Sequence, residues 1–489
     1  MIFSSLEFVC VFLPVVLVLY SMIPSLRMKN GLLIIASLLF YAYGEPVYVL
    51  LMIGSVAVNY IFARLIAAGR CKKAFLFISV IFNLGVLAVF KYTGFIVTSI
   101  NDALSVEIHI PEIALPIGIS FFTFQALSYV IDVYRGDTAV QKNFFKVLLY
   151  ISFFPQLIAG PIIKYHDISK ALSDRKQSFE AVSFGMRRFI FGLAKKVLIA
   201  NAVGEAADML FGAELSHINF ISAWLAAIAY MLQIYYDFSG YSDMAIGLGQ
   251  MFGFQFAENF RYPYAAASIK DFWHRWHISL STWFKEYLYI PLGGNRKGKV
   301  RTSLNKLIVF FMTGLWHGAS WTFVIWGLYH GLFLLIEDWF RLPKANEASV
   351  STNIKTVGVK RKLFRILGHI YSLLVVCIGF VIFRSENMQQ AFSMIGRMFG
   401  TGGFSDGSRS LMWQMLTPYF IIMLIAGILF AAPIPALARW INARFISSGN
   451  MKMRSFLSAI LYAVSMLMLV WCMLRLSGNT YNPFIYFRF

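Results

Sequence analysis

Apolar runs of membrane-spanning length recur along the whole chain, separated by short polar segments. The runs lie at 8–24, 32–43, 47–66, 74–90, 113–133, 147–163, 189–203, 218–236, 307–340, 367–383, 418–437 and 456–474. This pattern predicts about eleven transmembrane helices, with additional re-entrant and amphipathic helices. We therefore expect an all-α polytopic integral membrane protein.

Composition supports the same class. Hydrophobic residues make up 59% of the 489 residues and charged residues only 13%, and the mean hydropathy is +0.67. The net charge of +20 comes from lysines and arginines in the loops between apolar runs, where the positive-inside rule places them, so nucleic-acid binding is excluded as a function. The four cysteines are scattered and form no CxxC pair, which argues against a disulfide framework or a zinc site.

Loop charge predicts the orientation of the chain. The basic loops at 27–29, 70–73 and 135–146 are expected in the cytoplasm, which places the N-terminus outside. Counting onward through the later basic loops also places the C-terminal tail outside. The segment 153–165 contains two prolines and a glycine, which favours a broken, re-entrant piece over a straight span.

We expect one membrane domain over 1–489. It would comprise N-terminal helices at 8–135, a core with re-entrant segments at 136–365, and C-terminal helices with an extracellular aromatic tail at 366–489.

An ionisable residue interrupts the apolar run 307–340. His317 lies in "TGLWHGASW", and strongly basic loops flank the run on both sides. The run is too long for one span and short for two, so a hairpin returning to the cytoplasmic side is expected, with Gly318 and Ser320 near its tip. A polar side chain at membrane depth is a functional-site hypothesis, and the alternative is a hydrogen-bonded core histidine.

A second constellation, residues 259–301, mixes tryptophans, bases and histidines. An amphipathic helix in the headgroup plane accounts for the tryptophans and lysines, but it accounts less well for His277, which small polar residues follow. His274 and His277 could share a metal with Asp271, although no third strong ligand is evident. No HExxH motif is present.

Two further features leave alternatives open. Asp237 and Asp243 lie in the apolar segment "QIYYDFSGYSDMAIG" and either pair with neighbouring helices or line a pore or tunnel. The ending "FIYFRF" is either an interfacial aromatic anchor or a segment whose Tyr486 reaches into the protein and takes part in the chemistry.

These stretches resemble the membrane-bound O-acyltransferase (MBOAT) family, in the bacterial branch that includes transferases of alginate O-acetylation and of teichoic-acid D-alanylation. The motifs that carry the resemblance are "LPIGISFFTFQALSYVIDVYRG", "FFPQLIAGPI", "YYDFSGYSDMAIG", "NFRYPY", "DFWHRWHISLSTWFKEYLYIPLGG", "GLWHGASWTFVIWGLYHG" and "PFIYFRF". The resemblance covers most of the chain.

The resemblance implies a helical fold with a cytoplasmic and an extracellular funnel joined by a narrow tunnel. His317 matches the catalytic histidine and His277 the second functional histidine, and Tyr486 is a candidate acyl relay. Residues expected to line or support the tunnel are Asp237, Asp243, Trp316, Trp276, Ser320 and Asn259.

The function that the resemblance implies is O-acetylation of an extracellular or cell-wall polysaccharide. Acetyl-CoA would be the cytoplasmic donor, no metal would be needed, and an extracellular SGNH-type acetyltransferase would be the partner, in a multi-pass protein of the bacterial inner membrane. Two alternatives stay open: D-alanyl transfer from a carrier protein to teichoic acid, and a polytopic transporter whose buried histidines and aspartates relay protons. Against the transporter, no inverted repeat is visible in the sequence.

Overall fold

In the computed structural model, residues 1–109, 113–340, 356–432, 451–478 and 481–485 are described, and every regular element in these ranges is helical. The chain forms two compact units. One comprises Met1–Leu193 with Tyr241–Glu258, and the other comprises Ala194–Gly240 with Asn259–Ile485. The all-α class expected from the sequence is confirmed.

The first unit is built from ten helices and the C-terminal part of α12. They are α1 Leu13–Met22, α2 Leu26–Ala42, α3 Tyr48–Ala67, α4 Lys72–Leu87, α5 Thr93–Leu104, α6 Ile119–Arg135, α7 Phe144–Ser152, α8 Phe154–Leu157, α9 Tyr165–Ser169 and α10 Phe179–Ala194. Helix α6 packs against α3 and α4 and is buried along nearly its whole length. A cluster of rings from Phe3, Phe8, Phe40 and Phe154 forms part of the core of this unit.

A buried polar pair joins α3 to α4. The Asn83 side chain donates to Asn59 Oδ1 at 2.7 Å, and the Asn59 amide donates back to Asn83 Oδ1 at 3.0 Å. Ser79 adds a third bond to Asn59. Both amides are thereby satisfied in an apolar setting, which avoids the cost of a buried unpaired polar group.

The second unit contains the residues of the candidate site. Its helices are α11 Asn201–Gly212, the N-terminal part of α12 Phe220–Met251, α13 Ile269–Trp273, α14 Ile278–Phe284, α15 Gly298–His317, α16 Trp321–Trp339, α17 Thr356–Arg384, α18 Met388–Met398, α19 Asp406–Met415, α20 Pro418–Ala431 and α21 Met451–Gly478. A π-helical segment, Lys195–Ala200, precedes α11 and packs against α20 and α21.

Helices α15 and α16 form the hairpin expected around His317. The first arm begins at Gly298, earlier than the apolar run at 307–340 indicated, so the arms have 20 and 19 residues. The sequence-based length was too short because the charged residues at 299–306 interrupt hydropathy without interrupting the helix. At about 1.5 Å per residue, each arm is about 30 Å long.

Four helices of the described chain are long and apolar enough to cross a membrane: Tyr48–Ala67, Lys72–Leu104, Leu363–Arg384 and Phe456–Gly478. A fifth span results if α19 and α20, bent by 75°, are counted together. The expected break near 153–165 is confirmed, because α7 ends at Ser152 and the short α8 is followed by non-helical chain. The total of about eleven spans stays a prediction.

Glycines allow the two arms of the hairpin to approach closely. A Cβ placed on Gly327 of α16 would overlap the carbonyl oxygen of Phe310 and lie 3.1 Å from the Cα of Gly314 on α15. Gly327→Val is therefore expected to destabilise the protein by about 1–3 kcal/mol, measured as a lower thermal unfolding temperature in detergent.

Gly31→Val in α2 is the matched control, since a Cβ at Gly31 meets no atom within 4 Å. Its cost should be limited to the small helix-propensity difference between the two residues. Equal unfolding temperatures for the two variants would contradict the tight-packing account.

Candidate active site

The hairpin turns at residues 318–320, immediately after His317. Helix α15 ends at His317, and a Cβ on Gly318 would overlap the ring of Phe323. Ser320 caps the next helix, because its hydroxyl accepts a hydrogen bond from the Thr322 N–H at 3.4 Å. The small residues of the motif therefore place His317 at the vertex, and Ser320 has a capping role in that turn.

His317 lies in an aromatic cage. Its side chain is buried, and its ring centroid is 4.9 Å from that of Trp316, 5.1 Å from Trp326 and 5.3 Å from Phe383. Trp326 meets the imidazole at 90°, so the two rings are edge to face. The three rings cover the imidazole, so that His317 is only 6% exposed.

His277 is held by Asn259. His277 Nδ1 lies 3.3 Å from Asn259 Oδ1, and the same oxygen accepts from the Ser279 N–H at 3.1 Å and the Ser279 hydroxyl at 2.9 Å. Because the Ser279 backbone N–H can only donate, Asn259 Oδ1 is an acceptor, and His277 Nδ1 must carry the proton that it shares with this oxygen. In a neutral imidazole the lone pair is then on Nε2, which has no hydrogen-bond partner among the described residues.

Two further features of His277 fit a functional role. Its backbone is left-handed, with φ +42° at the start of the seven-residue helix α14, a conformation that costs a non-glycine residue about 1–3 kcal/mol. It lies outside the candidate membrane spans, and burial lowers its pKa to about 3. The ring is therefore neutral at physiological pH.

Both predicted histidines, His277 and His317, contact the indole ring of Trp316. The ring centroid of Trp316 is 5.9 Å from His277 and 4.9 Å from His317. Trp276, also predicted, stacks on Phe272 at 5.5 Å in the adjoining aromatic layer. His277, from the 259–301 segment, thus contacts Trp316 at the hairpin vertex. This contact agrees with the expectation that the hairpin packs over that segment.

Sequence reasoning missed a third buried histidine, His330. It lies on α16 beyond Trp326, with ring centroids 5.2 Å apart, and it also contacts Trp273 at 5.3 Å. In the described part of the chain neither of its ring nitrogens has a hydrogen-bond partner. The signal was present in "GLYHG", an ionisable residue between glycines in the same apolar run.

Glu337 ties the end of α16 to the start of α13. Its carboxylate accepts hydrogen bonds from the backbone N–H groups of Ile269 and, at 3.0 Å, Lys270. These are donors that a helix leaves without an intrahelical partner at its first turn. The bonds hold the 259–301 segment against the hairpin.

The two predicted aspartates of α12 have separate partners. Asp237 is buried in the second unit, and its carboxylate pairs with Lys196 at 2.7 Å. Asp243 belongs to the first unit and pairs with Arg188 at 2.8 Å, together with Glu258. Each carboxylate is thus compensated by a cation, and their tunnel-lining role stays a prediction. Tyr486, the candidate relay, lies outside the described residues.

A cavity of about 310 Å³ opens beside the aromatic layer. Its polar lining includes Lys270, Lys285, Lys306, His274 and Asp338, and its apolar walls include Trp273 and Phe310. Asp338 forms ion pairs with Lys270 and Lys306. Half burial and the nearby Lys270 lower the pKa of His274. Three lysines facing one carboxylate make the cavity electropositive.

Trp273 separates this cavity from the histidine cage. Its indole lies 5.1 Å from Phe310 on the cavity wall and 5.8 Å from Trp326, which contacts His317. Within the described ranges, no group of three His, Cys, Asp or Glu side chains could hold a metal ion. The metal-free site stays a prediction.

Comparison with known proteins identifies the family. Residues 138–378 match the profile of "MBOAT, membrane-bound O-acyltransferase family". The chain is 39% identical over 508 aligned residues to the probable alginate O-acetylase AlgI of Pseudomonas putida, with both chains covered completely. It is 34% identical to the peptidoglycan O-acetyltransferase of Helicobacter pylori, covering 83% of this chain and 81% of the relative.

A more distant relative is the teichoic acid D-alanyltransferase of Bacillus subtilis, which is 28% identical over 55% of this chain and 69% of its own length. The full-length match at 39% identity and the apolar helices of the structure lead to one conclusion. The chain belongs to the membrane-bound O-acyltransferase family and is a membrane acyltransferase.

Proposed function

We propose that the protein transfers an acetyl group from cytoplasmic acetyl-CoA, across the membrane, for O-acetylation of an extracellular or cell-wall polysaccharide. The observation that carries the proposal is that two buried histidines, His277 and His317, contact the same indole ring, that of Trp316. Asn259 accepts the hydrogen bond from His277 Nδ1 and so fixes which ring nitrogen carries the proton. The relatives named for alginate and peptidoglycan O-acetylation support acetyl as the acyl group.

The proposed chemistry is general-base acyl transfer at His317. The imidazole removes the proton from an acceptor hydroxyl, whose oxygen attacks the thioester carbonyl carbon. A new C–O bond forms, the C–S bond breaks, and the CoA thiolate leaves and takes the proton back from the imidazolium. His277 is proposed to assist by accepting or returning a proton at Nε2. The first acceptor is proposed to be the phenol of Tyr486, which would carry the acetyl group as an ester until a partner takes it.

The electropositive cavity is proposed to hold the donor. Coenzyme A combines phosphate groups, which lysines bind, with an extended pantetheine arm suited to an apolar wall such as Trp273. Lys285→Glu is expected to raise the KM for acetyl-CoA about tenfold, because it reverses a charge at the phosphate end and leaves His277 and His317 in place. The measurement is thiol release by the purified protein over a range of donor concentrations.

Lys299→Glu supplies the control for that experiment, since Lys299 is exposed at the start of α15 and carries the same charge. An unchanged KM in Lys285→Glu, or equal shifts in both variants, would contradict donor binding in this cavity.

Sidedness is part of the proposal. We place both chain termini outside a bacterial inner membrane, on the loop-charge argument, and propose that an extracellular SGNH-type acetyltransferase receives the acetyl group. Sealed vesicles loaded with radiolabelled acetyl-CoA test this: label should reach a phenol or sugar ester on the opposite face while CoA stays inside. Label confined to the donor side would overturn the direction of transfer.

D-Alanyl transfer from a carrier protein is the second candidate, supported by the teichoic acid D-alanyltransferase relative. The two functions separate when the purified protein receives either [¹⁴C]acetyl-CoA or a D-[¹⁴C]alanyl carrier thioester. Turnover of acetyl-CoA alone supports the proposal, and turnover of the carrier thioester alone replaces it. Membership of an acyltransferase family favours both over the transporter alternative.

A further inference from the structure

The last described residues, 481–485, are bound through their backbone to buried charged groups of the second unit. Asp237 accepts a hydrogen bond from the Ile485 N–H at 2.7 Å with one carboxylate oxygen and pairs with Lys196 Nζ at 2.7 Å through the other. Lys196 Nζ also donates to the carbonyl oxygen of Pro483. The side chains of Lys196 and Asp237 are only 4% and 2% exposed.

A second set of bonds holds the start of the same segment. The Asn201 amide lies 3.2 Å from both the Tyr481 carbonyl oxygen and Asn482 Oδ1 and donates to them. The Tyr481 hydroxyl donates to Asp208 at 2.6 Å, and Arg384 holds the other oxygen of Asp208 at 2.8 Å.

Side chains of the segment are buried as well. Phe484 is 4% exposed and Ile485 is 3% exposed. Gly204 packs closely beside Gln233 and Tyr481, since a Cβ there would lie 2.6 Å from Gln233 Nε2 and 3.1 Å from the tyrosine hydroxyl oxygen.

This arrangement differs from an ordinary buried ion pair. Taking two charges out of water is costly, and a pair of apolar side chains generally packs into the same volume at no loss of stability. Here the tail backbone supplies hydrogen bonds to both members of the pair, so the pair and the tail depend on each other. Because the bonds go to backbone N–H and C=O groups, they fix the register of the chain, and Pro483 restricts φ within the segment.

We propose that Lys196 and Asp237, supported by Asn201, form a tail clamp that sets the register of residues 481–485 and thereby positions the next residue, Tyr486, for acyl transfer. The clamp residues act as positioning residues and do not touch the donor. The proposal rests on the relay function proposed for Tyr486, and its test reads tail immobilisation separately from acetylation.

The test uses the full-length protein with a nitroxide spin label at Arg488→Cys, in a background in which the exposed Cys10 and Cys71 are serine. Lys196→Met with Asp237→Leu replaces the buried pair by apolar side chains. We expect an immobilised label in the parent and a mobile label in the double variant. Acetyl transfer to the tail, measured by mass spectrometry of the C-terminal peptide, should fall at least tenfold while the KM for acetyl-CoA is unchanged.

Asn201→Leu is a milder second variant, nearly isosteric and free of any buried unpaired charge, and it should release the label in part. The matched control is Asn59→Leu with Asn83→Leu, which removes a buried polar pair whose hydrogen bonds run between α3 and α4. That control should leave both the label and the transfer rate at parental values, even if it lowers thermal stability.

The outcomes separate the two proposals. A label that stays immobilised in the Lys196→Met, Asp237→Leu protein overturns the clamp. Where the parent acetylates Tyr486, a released label with undiminished acetylation of that residue also overturns it. Equal release in the control also overturns it, because the effect would then reflect general loosening. If the clamp variants alone release the label and the parent protein never acetylates Tyr486, the clamp is supported and the relay is overturned.

Discussion

His317→Ala is expected to lower acetyl transfer by at least about 10³-fold while the protein still inserts and folds. The reason is chemical: the hairpin vertex would lose its base, and the rings of Trp316, Trp326 and Phe383 that surround it cannot take a proton in its place. The measurement is incorporation of label from [¹⁴C]acetyl-CoA, together with thiol release, by the purified protein in detergent.

His317→Gln keeps the side-chain size and hydrogen-bonding capacity without the basicity, and it should be nearly as inactive as alanine. His166→Ala is the control, since His166 is 44% exposed in the first unit. Thermal unfolding temperatures of all three proteins establish that they fold. Wild-type acetylation by either His317 variant would rule out this histidine as the base.

The sequence predicted the hairpin because strongly basic loops flank an apolar run that is too long for one span, and small residues permit the turn. "WHGAS" breaks an apolar run where Gly318 avoids a clash and Ser320 caps the next helix, and both effects are local. The length of the first arm was not predictable from hydropathy, since Lys299 and Arg301 look like loop residues although they lie within α15.

Long-range partners account for most of what the sequence did not predict. Asn259 was expected as a supporting residue from resemblance, but its role in placing the proton of His277 depends on the fold bringing the two side chains within 3.3 Å. His330 was overlooked although it lies in the motif "GLYHG", because its contacts with Trp273 and Trp326 depend on the fold. The pairing of Lys196 with Asp237 was not predictable, since a lysine next to another lysine is typical of a loop.

Tyr486→Phe is expected to reduce acetylation of the final acceptor by about a hundredfold or more and to leave thiol release from acetyl-CoA measurable. The substitution removes one oxygen atom and keeps the aromatic ring, so any anchoring of the tail at the membrane interface persists. Without the phenol no acyl ester can form on the tail, and the donor thioester is then consumed only by slow hydrolysis. The measurement is label on the C-terminal peptide and on the acceptor, followed in the same reaction.

Tyr462→Phe in α21 makes the same chemical change on a tyrosine that is 48% exposed, and it should leave both readouts at parental values. The comparison also separates the two interpretations of "FIYFRF". Full acetylation by Tyr486→Phe together with lost activity on deletion of the last six residues would make the tail an aromatic anchor. Loss of acceptor acetylation by Tyr486→Phe alone requires the hydroxyl oxygen, because that atom is the whole difference between the two proteins.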